Sequence, residues 1–242
     1  MTQISWTNWK AWRLVNTVRE SIDITSYCLK PADGGALPDF RAGQAVALRA
    51  PGIEPRAYAL CCTPNDAMIR LSVKAGEDPE AGMPGYLSRM KIGDTVEVSD
   101  PAGDFTIDKG DTPLVILAEG PGIAPVIAFL SELSIETPLR PVHVLYAAKF
   151  GRRFPLGAEL KKLAGLLPNA GLGIFFTHPE PDDRIGVDYN AAGYITIDKI
   201  RSVCLDPEAD YYIAGRHAFV SSLSESLAAL RVIASRIHVM QM

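Results

Sequence analysis

The sequence predicts an N-terminal antiparallel β-barrel followed by a C-terminal α/β domain with a doubly wound parallel sheet. The chain has 242 residues, which is enough for two compact domains. Roughly its first hundred residues form short runs of alternating or β-branched residues between turn signals. After residues 107–113, apolar strand-like runs alternate with helical segments, as they do in parallel sheets. We therefore place the boundary near Gly110, which gives domains at 1–109 and 110–242.

Six segments of the first domain predict strands, because they are short, rich in β-branched residues and bounded by Gly- and Pro-containing turns. In chain order they are WRLVNTVRE, DITSYCLK, QAVALRA, RAYALCC, AMIRLSVKA and DTVEVSD. One short helix is expected at MPGYLSRM. Strands of this length and spacing favour a small barrel or sandwich.

The second domain alternates between the two kinds of element. Strands are predicted at PLVILA, PVHVLYAA, GLGIFFTH, DYYIAG and SRIHVM. Helices are predicted at GIAPVIAFLSEL, FPLGAELKKLAGLL, TIDKIRSV and HAFVSSLSESLAAL. Apolar runs such as PLVILA suit strands that are covered on both faces, so a parallel sheet with helices packed on it is expected.

Composition excludes several classes of partner. The net charge is −4, so no electrostatic argument supports binding to nucleic acid or to an anionic membrane. The longest apolar runs are too short to cross a bilayer. The first residues, MTQISWTNWKAWR, have no apolar signal segment, so we expect a cytoplasmic protein.

The cysteines do not form a metal site or a redox pair. Cys28, Cys61, Cys62 and Cys204 contain no C-x-x-C spacing, and they are too scattered for an iron–sulfur cluster. Cys61 and Cys62 are adjacent, so in a strand their side chains point to opposite faces. We predict small, partly buried side chains and no metal.

The segment RAYA, residues 56–59, carries two side chains that suit a flat, anionic ligand. In a strand, Arg56 and Tyr58 share one face. The guanidinium group can bind a phosphate through two hydrogen bonds, and the tyrosine ring can stack on a heterocycle. Taken alone, the same pair also suits an ordinary exposed strand face.

Two glycine-containing turns suit phosphate binding. Gly120 and Gly122, in AEGPGIAP, follow a predicted strand and open a helix, whose N-terminal amides and dipole favour anions. Gly82 and Gly85, in GMPGYLSRM, free backbone amides near another helix start. Either stretch alone is also explained as a tight turn without a ligand.

In combination and order, these stretches resemble the ferredoxin–NADP reductase superfamily, and in particular the reductase portion of flavohaemoglobins. RAYAL corresponds to the Arg-x-Tyr-Ser flavin motif, and GDTVEVSDPAGDF is similar to the segment that closes the barrel. GPGIAP matches the Gly-x-Gly-x-x-Pro dinucleotide turn, and DYYIAGRHAFV the late strand with its Cys-Gly-Pro loop. The resemblance covers nearly the whole chain.

This resemblance implies FAD, in preference to FMN, on the first domain and NAD(P)H on the second. It further implies hydride transfer from the nicotinamide to the flavin, and then electron transfer to a separate acceptor. That acceptor would be a haem protein, an oxygenase or a small molecule.

The resemblance also implies roles for individual residues. Arg56 would contact the flavin phosphate, and Tyr58, stacked on the flavin ring, would have the catalytic role. The other cofactor contacts that it implies are Ala57, Ala59, Gly82, Met83, Pro84, Gly85, Gly120, Pro121, Gly122, Ile123, Ala124, Pro125, Gly215 and Arg216.

The sequence departs from the family at these same positions. Ala59 and Gly85 replace serines that contact the flavin ring edge and the flavin phosphate. Ala214 and Arg216 replace the Cys and Pro of the Cys-Gly-Pro loop. Glu119 precedes the glycine turn, where a carboxylate would repel a pyrophosphate unless it points away, and Arg216 could offset it. These changes predict a folded protein with an altered site and weakened hydride chemistry.

Three hypotheses follow for the function. The first is a stand-alone flavin-dependent NAD(P)H reductase. The second is a repurposed enzyme with other chemistry in a biosynthetic pathway, for which His178 and His217 are candidate acid–base groups. The third is a regulatory subunit that binds flavin or nucleotide only as a structural ligand. The choice between NADH and NADPH stays open, because the basic AAKFGRR stretch suits either a 2′-phosphate site or a solvated helix entry.

Overall fold

A computed structural model describes residues 6–78, 80–203 and 205–242. The chain divides into two compact units, the first ending at Ile107 and the second beginning at Asp108. The first contains a six-stranded antiparallel sheet and the second a six-stranded parallel sheet. The predicted fold class is therefore confirmed. Cys204 lies outside the described residues.

The first unit is a barrel of short antiparallel strands. Its elements are β1 (Lys10–Arg19), β2 (Ile24–Pro31), β3 (Ala45–Ala50), β4 (Ile53–Ala59), β5 (Ile69–Lys74), α1 (Gly82–Arg89) and β6 (Thr95–Val98). The strand order is β4-β3-β6-β1-β2-β5. A bridge between Leu60 and Leu71 joins the chain just after β4 to β5, which closes the two ends of the sheet on each other.

Alternating side chains of these strands fill the barrel interior. Leu14, Leu48 and Leu71, from three different strands, have no exposed surface. Helix α1 contributes Met83 and Leu87 to the same core. Because the strand period is two, the alternate side chains of these strands point away from this core.

The second unit alternates strands and helices. Its elements are β7 (Leu114–Glu119), α2 (Ile123–Glu136), β8 (Val142–Ala148), α3 (Gly157–Gly165), β9 (Ala170–Phe176), β10 (Ala191–Ala192), α4 (Ile197–Val203), β11 (Asp210–Gly215), α5 (His217–Ala229) and β12 (Ile237–Gln241). Short 3₁₀ turns occupy Gly120–Gly122, Gly151–Arg153 and Ala234–Arg236. The sequence did not predict β10, because two alanines carry no strand period.

The order of the parallel strands places a ligand-binding edge in this unit. The order is β10-β9-β8-β7-β11-β12, so the chain runs outward from β7 on one side and then returns to its other side at β11. Both β8 and β11 pair with β7 in parallel. In open α/β sheets, ligands bind beyond the carboxyl ends of the strands where the order reverses, which here means the ends of β7 and β11.

Helices of the described ranges are all too short or too polar to cross a membrane.

Candidate functional site

Arg56 and Tyr58 lie together on strand β4 of the first unit. The guanidinium carbon of Arg56 is 5.9 Å from the centroid of the Tyr58 ring. Arg56 is exposed, whereas Tyr58 is half-buried and packs against the barrel core. The alternation of β4 thus gives the arrangement expected from the sequence, a cation beside the face of a phenol ring.

The Tyr58 hydroxyl is buried, and none of the described residues accepts or donates a hydrogen bond there. Burial raises the pKa of Tyr58, while the nearby Arg56 acts in the opposite direction. The phenol is therefore neutral at physiological pH and keeps an unused donor. Apart from the Tyr58 ring, Arg56 has no partner among the residues that the structure describes. An unused donor beside an unpaired cation fits a flat ligand with an anionic group.

The two alanines of this segment differ in their surroundings. Ala57 is exposed, whereas Ala59, at the end of β4, is 7% exposed and pairs with Ala45 on β3. By strand alternation, both methyl groups point away from the face that carries Arg56 and Tyr58. Neither alanine supplies a polar group, so recognition on β4 depends on the arginine and the tyrosine.

Helix α1 begins with GMPG, and its four residues have different roles. Gly82 is exposed and has a φ of +60°, a conformation that glycine tolerates best. Met83 and Pro84 are buried, and proline has no N–H to offer. The Gly85 N–H donates to the Ala81 carbonyl oxygen at 3.2 Å. The expectation that Gly85 frees an amide for phosphate is therefore not met.

The absence of a side chain at Gly85 has a packing reason. A Cβ atom there would lie 2.3 Å from the carbonyl carbon of Glu80, which is far inside van der Waals contact. Glycine thus lets the segment that precedes α1 pass directly over the helix. The family serine at this position would require that backbone to move.

The two glycines of the turn after β7 differ in the space that a side chain would have. Gly120 has a φ of +52°, and no atom lies within 4 Å of the place where a Cβ would project. At Gly122, a Cβ would lie 2.2 Å from the Ala214 carbonyl oxygen, so this glycine allows the turn to pack on the end of β11. The Tyr146 hydroxyl donates to the Gly120 carbonyl oxygen at 2.9 Å and holds the turn. Nothing in the sequence marked Tyr146, since a tyrosine in an apolar strand normally indicates core.

The other residues of this motif lie deeper in the second unit. Pro121 is half-buried, and Ile123, Ala124 and Pro125 are buried in the first turn of α2. These three residues can support the turn, but a ligand at the sheet edge would meet Gly120 and Pro121 first.

Glu119 and Arg216 form a bidentate ion pair across the ends of β7 and β11. Arg216 donates from Nε to Oε1 at 2.8 Å and from Nη2 to Oε2 at 3.0 Å, and its backbone N–H donates to Oε1 at 3.3 Å. Glu119 is 6% exposed. These hydrogen bonds raise the pKa of Arg216. The sequence had indicated that Arg216 could offset Glu119, and the structure shows the contact. Gly215 lies beneath the pair, since a Cβ there would be 2.7 Å from Glu119 Cγ.

Among the described residues, Cys61, Cys62, His178 and His217 take no part in these arrangements. Cys61 and Cys62 are buried, and burial raises the pKa of Cys62 to about 12, so its thiol is unreactive near neutral pH. His178 and His217 are exposed and contact the hydroxyl groups of Thr177 and Ser221. Within the described ranges, no group of three or more His, Cys, Asp or Glu side chains could hold a metal ion.

The basic stretch after β8 is partly neutralised. Lys149, Arg152 and Arg153 surround the Phe150 ring at 5.6 to 5.8 Å from its centroid. The Glu180 carboxylate accepts two hydrogen bonds from Arg152, at 2.8 and 2.9 Å. Glu180 therefore neutralises Arg152, and the choice between NADH and NADPH stays open.

The second unit matches a known domain family. The model of the oxidoreductase NAD-binding domain matches residues 116–225, which include the glycine turn and Arg216. The flavohemoprotein of Chromobacterium violaceum is 37% identical over 96% of this chain, and the match covers 60% of that protein. The chain thus spans about three fifths of the length of the curated relatives it matches.

Solved structures show the same fold over nearly the whole chain. The flavohaem-like FAD/NAD-binding domain of nitric oxide dioxygenase from Vibrio cholerae O1 biovar El Tor has a TM-score of 0.84 and 28% identity, with 96% of this chain and 98% of that chain covered. A flavohemoglobin from Malassezia yamatoensis, solved with bound FAD and haem, has a TM-score of 0.82 and 23% identity, with 96% and 60% covered. From its motifs, its two sheets and these matches, the chain is similar to the ferredoxin–NADP reductase superfamily, and in particular to the reductase portion of flavohaemoglobins.

Proposed function

We propose that this chain is a flavin-dependent NAD(P)H oxidoreductase that passes electrons from a nicotinamide cofactor through FAD to a separate acceptor. The observation that carries the proposal is the buried hydroxyl of Tyr58 beside Arg56, neither of which has a hydrogen-bond partner among the described residues. The glycine turn at the reversal point of the parallel sheet supports the nicotinamide half. In this proposal, residues 1–109 form the FAD-binding domain and residues 110–242 the NAD(P)-binding domain.

The residues have distinct tasks in this proposal. Arg56 neutralises a flavin phosphate, Tyr58 offers its ring and its hydroxyl to the flavin, and Gly82 and Met83 offer the amides of α1. Gly120 and Pro121 approach the dinucleotide, and Arg216 is the nearest cation on the neighbouring strand end. When bound, the flavin accepts two electrons from the nicotinamide and releases them one or two at a time.

A haem protein is the class of acceptor that we favour. The 37% identical relative from Chromobacterium violaceum is a flavohemoprotein, and this chain covers only 60% of it. Oxygenases and small molecules are the other acceptor classes.

A second candidate function is a flavoprotein that binds flavin but turns over nicotinamide slowly. The observation that favours it is the ion pair between Glu119 and Arg216, which covers Gly215 at the nucleotide edge. Anaerobic addition of NADH or NADPH separates the two functions. A reductase loses its flavin absorbance within the turnover time, whereas a passive flavoprotein keeps it.

The experiment for the first function is Arg56→Ala, with flavin occupancy measured from the visible absorbance after gel filtration. Losing a phosphate contact to a charged group weakens binding by about 10- to 100-fold. Arg13→Ala is the matched control, because Arg13 is an exposed arginine on β1 that donates to the Gly93 carbonyl oxygen. Equal flavin occupancy in both variants would show that Arg56 does not bind the flavin phosphate. A wild-type protein that takes up no FAD at high concentration would overturn the function itself.

A further inference from the structure

The parallel sheet brings an acidic and a basic residue together at its ligand-binding edge. Glu119 is the last residue of β7, and Arg216 directly follows β11. These are the two strands between which the strand order reverses. A dinucleotide on the glycine turn at 120–122 therefore lies next to both side chains.

The Glu119 carboxylate occupies the start of helix α5. Arg216 is the N-cap of this thirteen-residue helix, and its backbone N–H donates to Glu119 Oε1. A helix N-terminus attracts anions through its free amides and its dipole. Here a carboxylate of the protein accepts the N–H of the N-cap residue and both hydrogen bonds of its guanidinium group.

The two partners differ in exposure, which makes the contact asymmetric. The Glu119 side chain is 8% exposed, whereas the Arg216 side chain is 71% exposed. Arg216 can thus turn toward solvent or toward a ligand, while Glu119 cannot follow it. A buried carboxylate that loses its partner is strongly destabilised, so any anion that recruits Arg216 is opposed by Glu119.

We propose that the Glu119–Arg216 pair is an internal latch that competes with the dinucleotide pyrophosphate for the guanidinium group and the start of α5. This inference rests on the proposed function, because it concerns the same nucleotide edge. In the latched state Glu119 covers Gly215, and dinucleotide binding requires Arg216 to leave the carboxylate. Glu119 is thereby a residue that sets dinucleotide affinity without contacting the dinucleotide itself.

The test is the dissociation constant of NAD⁺, measured by isothermal titration calorimetry on the flavin-loaded protein. NAD⁺ carries the pyrophosphate and does not reduce the flavin. Glu119→Ala is expected to bind NAD⁺ about tenfold or more tightly, since it leaves Arg216 free for the phosphate. In Glu119→Ala/Arg216→Ala this gain is expected to be lost. Glu119→Gln keeps the shape without the charge and serves if Glu119→Ala does not fold.

The matched control is Glu97→Ala, which removes a carboxylate from another bidentate pair, with Arg49 on the barrel. It is expected to leave the NAD⁺ affinity within about twofold of the wild type. An unchanged or weaker affinity in Glu119→Ala and Glu119→Gln would overturn the latch. Reduction of the flavin by NADH in those same variants would show that the proposed function survives. A protein that neither binds NAD⁺ nor is reduced, in any variant, would overturn both.

Discussion

Tyr58 is a residue whose environment is incomplete within the described protein. Its hydroxyl is buried and has no hydrogen-bond partner among the described residues. A phenylalanine ring would fill the same space without burying an unpaired polar group. An unpartnered buried polar group destabilises a fold by about 1–3 kcal/mol. The tyrosine is thus better explained by a ligand group that completes its hydrogen bond than by packing of the barrel alone.

Tyr58→Phe should therefore have opposite effects in the two states of the protein. Without flavin, the free energy of unfolding should rise by about 1 kcal/mol, because the unpartnered hydroxyl is gone. With flavin, affinity should fall by about tenfold, because the ring remains but the donor does not. Thermal unfolding with and without excess FAD measures both effects. Tyr194→Phe, at an exposed tyrosine of the second unit, is the control. The same shift of melting temperature in both states would contradict a ligand role for the hydroxyl.

The sequence predicts those contacts of the site that join residues close together in the chain, and it does not predict contacts between distant residues. Arg56 and Tyr58 are two residues apart, so strand alternation alone places them together. Glu119 is conspicuous as a carboxylate that ends an apolar run. Its bidentate contact with Arg216 joins residues 97 positions apart and arises from the parallel pairing of β7 with β11. No local pattern contains that pairing, so the sequence indicated only that the two charges were compatible.

Among the elements, α1 shows how a correct prediction of structure can come with a different role for its residues. GMPGYLSRM predicted a helix, and α1 spans Gly82–Arg89. The glycines suggested a phosphate cradle, but Gly85 packs against the Glu80 backbone and uses its own N–H inside the helix. The difference arises because the course of the segment before the helix is a tertiary feature, which glycine permits but does not encode.

Gly85→Ser, which introduces the family residue, should therefore fail to improve flavin binding. Its Cβ would collide with the Glu80 backbone, so the free energy of unfolding should fall by on the order of 1–3 kcal/mol. Urea unfolding and flavin titration measure the two effects. The control is Gly165→Ser at the end of α3, where no atom lies within 4 Å of the added Cβ. Tighter flavin binding at unchanged stability would show that the Glu80 segment moves easily and that the serine restores a phosphate contact.

For the whole molecule, periodicity was sufficient for the fold class because each unit uses one repeating pattern. Alternating strands gave the barrel, and buried apolar strands between helices gave the parallel sheet. Two arginines, which periodicity does not single out, donate hydrogen bonds to the last residue of the first unit and to the first residues of the second. Arg41 donates to the Ile107 carbonyl oxygen in the first unit, and the buried Arg140 donates to Thr112 and Asp108 in the second. Burial lowers the pKa of Arg140.

The charge of the whole chain predicts how electrons leave it. A protein of net charge −4 attracts a cationic acceptor and repels an anionic one, and salt screens both effects. Under excess NADH, reduction of a cationic haem protein such as cytochrome c should slow by about threefold as ionic strength rises from about 0.01 to 0.2 M. Reduction of anionic ferricyanide should become faster over the same range of ionic strength. Reduction of a neutral quinone should not depend on ionic strength.

Stopped-flow absorbance under anaerobic conditions measures these rates, with each acceptor varied at constant protein concentration. A rate proportional to acceptor concentration is expected, because the acceptor reaches the protein by collision. If all three acceptors gave one saturating rate that ignored salt, nicotinamide oxidation would be the slow step. The pair formed by Glu119 and Arg216 acts on dinucleotide affinity, so Glu119→Ala should then raise that common rate only at NADH concentrations below saturation.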